Sequence, residues 1–368
     1  MAKKKILFCA STVSHIKNFH LPYLKAFRDM GYEVHVAANE SEPIPWTDRV
    51  FKLSFCKRIL ASENIFAIFQ SRKLLKEEKY EKVSSNTTLA GLIIRISALF
   101  LKNRPCIYHI VHGYHFNLNS GIQKYLYLIP EKVASYVSDV VMVMNKEDYQ
   151  IAQKYKLYRK KLYYIDGIGV DISRFRPVSR EIKSKLKSRM GIEPDEFVFA
   201  YAAEFSKRKN QALLIRAFSD CFFKKGRLLL AGDGEQLDSC KRLAAQLGQA
   251  EQIKFLGYVK DVPELYSACD AIVSVSRIEG LPFNIVEAMG CTLPVIASNI
   301  KGHQELVDPE ITGMLFEDGN KMQLCRCMKT MYLAQALQLN CYGQAGAQKA
   351  ERFLIENVFP EVIKIYQS

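Results

Sequence analysis

Glu279 and Glu287 are eight residues apart, with Pro282 between them. On one continuous helix that spacing turns through about 800°, roughly 80° away from a shared face. The two carboxylates converge only if Glu279 lies in a loop and Glu287 in a helix starting near Pro282, whose missing N–H is harmless in a first turn. The opening amides of Phe283 and Asn284 would then face an anion. Carboxylates flanking a phosphate pocket accept hydrogen bonds from neutral hydroxyls, such as those of a ribose or hexose. The plainer alternative is a solvated helix start. A second group of candidates is the cationic run Ser206-Lys207-Arg208-Lys209-Asn210, either a phosphate clamp or a solvated basic loop. A third is His112, followed by Gly113, which allows a ligand close to the backbone. His115 follows three residues on, and His15 and His20 straddle the start of the first helical pattern.

These residues need strand ends to position them. Ile6–Ala10 reads as a buried strand, Phe19, Leu21, Leu24 and Phe27 as one helical pattern, and Glu33–Ala38 as a second strand, which together seed a parallel sheet. Cys106–Val111 and Val140–Met144 are further strands, with helices over Ile65–Lys79, Thr88–Leu101 and Ile122–Val137. The rhythm restarts at Phe197–Tyr201 and continues through Gln211–Phe223, Arg227–Ala231, 235–247, Ile253–Leu256, Pro263–Ala268, Ala271–Ser276, 282–289 and Pro294–Ala297. Short apolar strands alternating with amphipathic helices mean doubly wound α/β domains. The join is expected near Asp171–Pro194, a stretch with prolines and a run of Lys and Arg. The division is therefore 1–175 and 176–350, with 351–368 as a final helix. Ligands of two such sheets are expected at their carboxyl edges, in a cleft between the domains.

A chain of 368 residues suits two domains, and 49% hydrophobic with 24% charged residues excludes a disordered or fibrous protein. The longest apolar stretch, Leu89–Leu101, carries Arg95 and is shorter than the roughly 20 residues of a membrane span. The first residues lack a signal-peptide core, and ten cysteines without a C-x-x-C pair suggest reduced thiols in a cytoplasm and no structural zinc site. Of the net charge of +14, residues 1–175 carry +12 and the remainder +2. That asymmetry points to an anionic membrane surface or an ordinary basic face. It forms no defined stripe of the kind nucleic acid requires. No G-x-S-x-G occurs, and no G-x-G-x-x-G follows the first strand, which weakens hydrolase and nicotinamide readings.

Glu279-x7-Glu287, set in Glu-Gly-Leu-Pro and Glu-Ala-Met-Gly, resembles the donor motif of the family 4 retaining glycosyltransferases, whose fold of two Rossmann-like domains is called GT-B. Asp166–Phe175, Leu229–Glu235, Phe255–Tyr258, Val111–Phe116 and His15–Pro22 are similar to other stretches of that family. The last two resemble its bacterial exopolysaccharide and capsule branch. The resemblance implies that Glu287 binds ribose hydroxyls and Glu279 the transferred sugar, with Leu281, Phe283 and Asn284 under the diphosphate. Gly232 and Tyr258 lie at donor-side strand ends. Lys209 would stabilise charge on the departing diphosphate. His112 would touch the donor sugar or seat the acceptor, with His15 and His115 as acceptor candidates. The family has an arginine where this chain has Glu204; Arg208 is the proposed substitute, its fork matching phosphate oxygens. The Gly-Gly of the family's first loop is also absent, Ser11-Thr-Val-Ser14 standing there instead.

By this resemblance the protein moves a sugar, with retention and without metal or other cofactor, from a nucleotide sugar. A uridine diphosphate donor is expected, with a saccharide or polyprenyl-diphosphate-linked saccharide as acceptor, at the inner face of the cytoplasmic membrane. Thr88–Leu101 is either a membrane-attachment element or a buried helix. The final helix is expected to pack back on the first domain. Two alternatives stay open: a nucleotide-sugar epimerase or hydrolase on the same fold, and a non-catalytic membrane-associated partner of a glycosyltransferase.

Overall fold

The computed structural model describes residues 3–56, 61–118 and 120–368. The chain divides into two compact units, one running to Gly169 and including Ile355–Ser368, the other Val170–Leu354. Residues 170–175 and 351–354 thus fall in the second unit.

In the first unit, β1 (Lys5–Cys9) leads through α1 (Val13–Phe19) and α2 (Leu21–Asp29) to β2 (Glu33–Ala38) and β3 (Arg49–Lys52). Then come α3 (Ser62–Glu78), β4 (Lys82–Ser85), α4 (Thr88–Ala98), β5 (Cys106–Val111), α5 (Tyr125–Ser135), β6 (Val140–Val143), α6 (Lys146–Tyr155) and β7 (Lys161–Tyr164). The sheet order is β3-β2-β1-β4-β5-β6-β7, every pair parallel. In the second unit α7 (Arg180–Arg189) precedes β8 (Phe197–Ala202), α8 (Gln211–Cys221), β9 (Gly226–Ala231), α9 (Leu237–Gln246), β10 (Ile253–Gly257) and α10 (Val262–Ser267). It closes with β11 (Ala271–Ser274), α11 (Phe283–Gly290), β12 (Val295–Ser298), α12 (Lys301–Gln304), β13 (Gly313–Phe316), α13 (Lys321–Leu333) and α14 (Ala336–Ala350). Its order is β10-β9-β8-β11-β12-β13, again all parallel. Helix α15 (Ile355–Gln367) then returns to the first unit.

Each sheet runs outward in two directions from its first strand. The order reverses between β1 and β4 in one unit and between β8 and β11 in the other, and ligands of such sheets bind at that reversal. The central strands are covered on both faces, which is why they read as unbroken apolar runs: Ile6, Leu7, Phe8 and Cys9 are all fully buried. Helix α15 buries Val358, Val362 and Tyr366. The Tyr366 hydroxyl meets Ser84 Oγ at 2.6 Å, and its carbonyl accepts from the Tyr108 hydroxyl at 3.0 Å.

Several expectations are corrected. The first helical pattern is two helices, broken at His20, because Pro22 lacks an N–H and its ring clashes with a preceding turn. The expected join at Asp171–Pro194 contains α7, capped by the Ser179 hydroxyl. Its Lys187 is buried, donating to Asp270 Oδ2 at 2.8 Å and the Glu196 carbonyl at 2.7 Å, so a residue that reads as solvated is an internal tie. The short strands β3, β4, β7 and β13 and the polar helix α6 had no recognised pattern.

The Thr88–Leu101 stretch is a buried helix over most of its length, not a surface element. Arg95 is fully buried on α4: its Nε donates to the Gly91 carbonyl at 2.9 Å, and Nη1 and Nη2 each reach a Glu131 carboxylate oxygen of α5 at 2.9 Å. Glu131→Ala strands this guanidinium. Denaturant unfolding of that variant is expected to show a loss of about 3–5 kcal/mol, the cost of breaking one side of a buried pair.

Candidate active site

The second unit gathers the acidic and cationic candidates at its order reversal. The loop after β8 carries Arg208 and Lys209, and the loop after β11 carries Glu279. The Glu279 carboxylate accepts from Arg208 Nη1 at 3.0 Å and from Lys209 Nζ at 2.5 Å. Arg208 also donates to the Ile278 carbonyl, and the Arg277 amide donates to the Arg208 carbonyl at 2.9 Å, which stitches the two loops together. Beneath them the Tyr201 hydroxyl shares a hydrogen bond with Ser276 Oγ at 2.7 Å and donates to the Lys209 carbonyl. Gly302 lies against this loop: a Cβ there would come within 2.7 Å of the Glu279 carbonyl oxygen. Burial alone would raise the Glu279 pKa, but the Lys209 ammonium and the Arg208 guanidinium outweigh it and hold the carboxyl down at about 2.

Glu287 has the opposite environment. It is partly buried on α11, without a salt bridge or hydrogen-bond partner among the described residues, and burial pushes its pKa up to about 7. Pro282 flanks the helix, one residue before its start at Phe283, and no side chain caps that end. Leu281 is buried, and Asn284 donates its side-chain amide to the Ala202 carbonyl at 3.1 Å. Gly232 closes the end of β9 at φ +135°, where a Cβ would strike the Ala203 carbonyl oxygen at 2.1 Å, so its role is backbone packing between two strand-end loops. Tyr258, 73% exposed on the turn after β10, makes no hydrogen bond to the Glu279 cluster. Glu204 is exposed and stays outside the Glu279 pairings.

The first unit collects the histidines, also at its order reversal. Ser11 after β1 is tied to Thr87 after β4, amide to Oγ1 at 3.0 Å and Oγ to Oγ1 at 2.8 Å. His112 follows β5, and its ring lies 4.8 Å from that of His15, which is 5.3 Å from His20. Burial lowers all three pKa values, to about 4 for His112 and about 3 for His20, so the rings are neutral at pH 7. His115 stacks on Tyr127 with centroids 5.5 Å apart and meets Thr88 Oγ1 at 3.2 Å. It shares with His112 a largely apolar cavity of about 390 Å³, walled also by Leu89, Leu92, Phe116 and Leu126.

Tyr201, Ser276 and Gly302 support the site but have no spacing that announces them. His303 belongs with them: fully buried, it hydrogen-bonds Ser274 Oγ at 3.0 Å and the Ser298 carbonyl at 2.7 Å. Its only signal was being a histidine beside a glycine, as His112 is.

Two Rossmann-like units of parallel strands, one with paired cations at its order reversal, define a two-domain α/β protein of the GT-B kind. Residues 182–347 match the family described as "Glycosyl transferases group 1". The chain is 33% identical over 369 residues to EpsD of Bacillus subtilis (strain 168), a protein that carries the name of a glycosyltransferase, with 99% of this chain and 97% of that one covered. It is 28% identical over 321 residues to an Escherichia coli protein named UDP-Gal:alpha-D-GlcNAc-diphosphoundecaprenol alpha-1,3-galactosyltransferase, covering 83% and 81%. The solved structure of Anabaena Alr3699/HepE in complex with UDP and glucose matches its fold at a TM-score of 0.78, with 21% identity and 99% of each chain covered. The chain belongs to the group 1 glycosyl transferases, and its activity is transfer of a glycosyl group.

Among the described residues no helix is long and apolar enough to cross a membrane. The raised Glu287 pKa carries a linkage consequence. The folded chain holds this proton more tightly than the unfolded one, so the site costs stability as pH rises from the ordinary value of 4.5 to about 7, and the cost is constant above that. Glu287→Gln is expected to flatten this part of the pH–stability profile. The variant should gain on the order of 3 kcal/mol relative to the parent at pH 8 over pH 4. Denaturant titrations across that range measure it.

Proposed function

We propose that the protein transfers a sugar from a uridine diphosphate sugar, with retention of anomeric configuration and without a metal ion. The acceptor is a saccharide carried on a polyprenyl diphosphate. The observation that carries this reading is the convergence of Arg208 and Lys209 on one carboxylate at a strand-end loop beside the start of α11. Two cations against one anion leave a net positive pocket, and a diphosphate supplies the missing charge. On donor binding the cations exchange part of their hold on Glu279 for phosphate oxygens, which frees a Glu279 oxygen for a sugar hydroxyl. Glu287, with no internal partner, accepts the ribose hydroxyls.

The chemistry then needs little from the protein. The bond from the anomeric carbon to the diphosphate oxygen breaks, the acceptor hydroxyl bonds to the same face, and its proton passes to the departing phosphate oxygen. Lys209 and Arg208 stabilise the charge growing on that oxygen, a contribution larger in the transition state than in the ground state. His112, neutral through burial, is suited to hydrogen bonding with sugar hydroxyls. Alr3699/HepE, solved with UDP and glucose, and the Escherichia coli galactosyltransferase, named for a diphosphoundecaprenol acceptor, support the donor and acceptor classes.

Lys209→Ala is expected to lower kcat on the order of 100-fold while changing the donor KM much less. Steady-state kinetics with the preferred donor measures it, and an unchanged kcat would remove Lys209 from the mechanism. The donor itself comes from calorimetric titration of uridine, guanosine and adenosine diphosphate sugars, with the uridine form expected to bind tightest. Anomeric analysis of the product tests retention.

A lipid-linked acceptor places the chain at an anionic membrane, and the first unit has a suitable face. Ile122, Leu126, Ile129, Val133 and Tyr136 recur at alternating four- and three-residue intervals along α5 and its flanks, all between 41% and 85% exposed. That spacing is one continuous apolar stripe, on the unit whose sequence carries most of the positive charge. Leu126→Glu combined with Ile129→Glu is expected to reduce co-sedimentation with phosphatidylglycerol vesicles by about tenfold or more, since two charges replace two buried apolar side chains. Undiminished sedimentation would move the contact elsewhere.

A further inference from the structure

We propose that His15, His20 and His112 form a binding site for one zinc-class transition-metal ion in the first unit. His15 and His20 are five apart, which on a continuous helix would set them about 140° from each other. The break between α1 and α2 falls at His20, with Pro22 following, and this turns the second ring back toward the first. His112 enters from the end of β5. One ring nitrogen from each histidine can be chosen so that all three lie within 4.8 Å of one another.

The unsatisfied atoms make the case. His15 Nε2, both His20 ring nitrogens and His112 Nε2 are buried and have no hydrogen-bond partner among the described residues. Buried polar atoms are normally paired, because an unpaired one costs about 1–3 kcal/mol. Here four are left over in one cluster, on three imidazoles that can each offer one lone pair to a metal. Three imidazoles without a carboxylate favour zinc, copper or nickel over magnesium or calcium. Tetrahedral zinc at about 2.1 Å from each nitrogen needs the nitrogens roughly 3.4 Å apart, so ring rotations that close the gap by about 1.4 Å at most suffice. The fourth position would remain for water or another ligand.

The other trio of potential ligands among the described residues is internally paired instead. In Glu33, His35 and Glu78, the His35 ring bonds Tyr80 and Glu33, and Glu78 pairs with Lys5 and Arg49, so both ring nitrogens and the Glu78 carboxylate are engaged. Only the first trio has capacity to spare. Occupancy would engage the His112 ring, and a corollary that rests on the transfer reading is that the metal inhibits transfer. The binding itself does not depend on that reading.

The test uses the full chain, stripped with a chelator and dialysed against zinc, with bound metal measured by elemental analysis. Wild type is expected to hold one equivalent more than His15→Ala, whose side chain is partly exposed and whose loss leaves the fold intact by thermal unfolding. His20→Asn should behave alike, and affinity at the site should fall on the order of 100-fold in each variant. Cobalt loading should give the visible bands of tetrahedral nitrogen coordination without a thiolate charge-transfer band in the near ultraviolet. Equal zinc content in wild type and both variants, or a thiolate band showing that the cysteines hold the metal, would overturn the proposal.

Discussion

A carboxylate buried beside two cations is the constraint on which the donor side depends. Glu279 is 8% exposed, and in that position it would be protonated or excluded were it alone. Arg208 and Lys209 keep it ionised, and it in turn keeps two like charges close together. The arrangement is stable only as a set. Removing the acid would leave two cations repelling, and removing either cation would leave a buried charge half-compensated. The surrounding hydrogen bonds, Tyr201 to Lys209 and Arg277 to Arg208, hold the backbone that makes the set possible. Such a pocket is preorganised for an anion because its cations are already fixed before the anion arrives.

Glu279 and Glu287 show how little residue type says without environment. Both are glutamates on one loop–helix segment, yet one is held near 2 and the other pushed to about 7. The difference lies in partners: the first faces two cations, whereas the second is partly buried without any. A carboxylate paired with two cations stays ionised and fixed in place. One lacking partners is suited to receive hydroxyl donors, and at neutral pH it exists as a mixture of acid and anion.

Much of this was legible in the sequence, for reasons that can be named. Strands buried on both faces show as mostly apolar runs, even where His35 or His109 interrupts them, so β1, β2, β5, β8 and β9 were placed within a residue or two. Arg49–Lys52 is exposed at both ends and only half-buried between them, and Lys82–Ser85 is short and polar, so neither shows a run. Helix α7 was hidden by its charges, because a buried Lys187 looks in sequence like any surface lysine. The site divided along the same line. The structure brings Glu279, Arg208 and Lys209 together, residues that stand in the sequence as a proline between acids and a cluster of bases. Tyr201, Ser276 and His303 act through contacts made across strands, and nothing in linear spacing reports those. Tyr258 was the converse, a residue in a suggestive stretch whose side chain projects into solvent.

Both units share a topology, yet their order reversals carry different chemistry, and the reason is local. At β8 and β11 the loops bring charged residues that need one another, so the pocket is polar and internally paired. At β1, β4 and β5 the loops bring imidazoles and hydroxyls, and burial removes the charge the imidazoles might carry. Ser11 and Thr87 satisfy each other across the reversal, whereas four nitrogens of the three histidines have no partner among the described residues. These nitrogens are the largest group among the buried polar atoms left without a partner among the described residues. Packing alone would be served as well by phenylalanine, which has the bulk of histidine and no polar atom to satisfy. The use of three histidines is therefore explained by a ligand that lone pairs can hold.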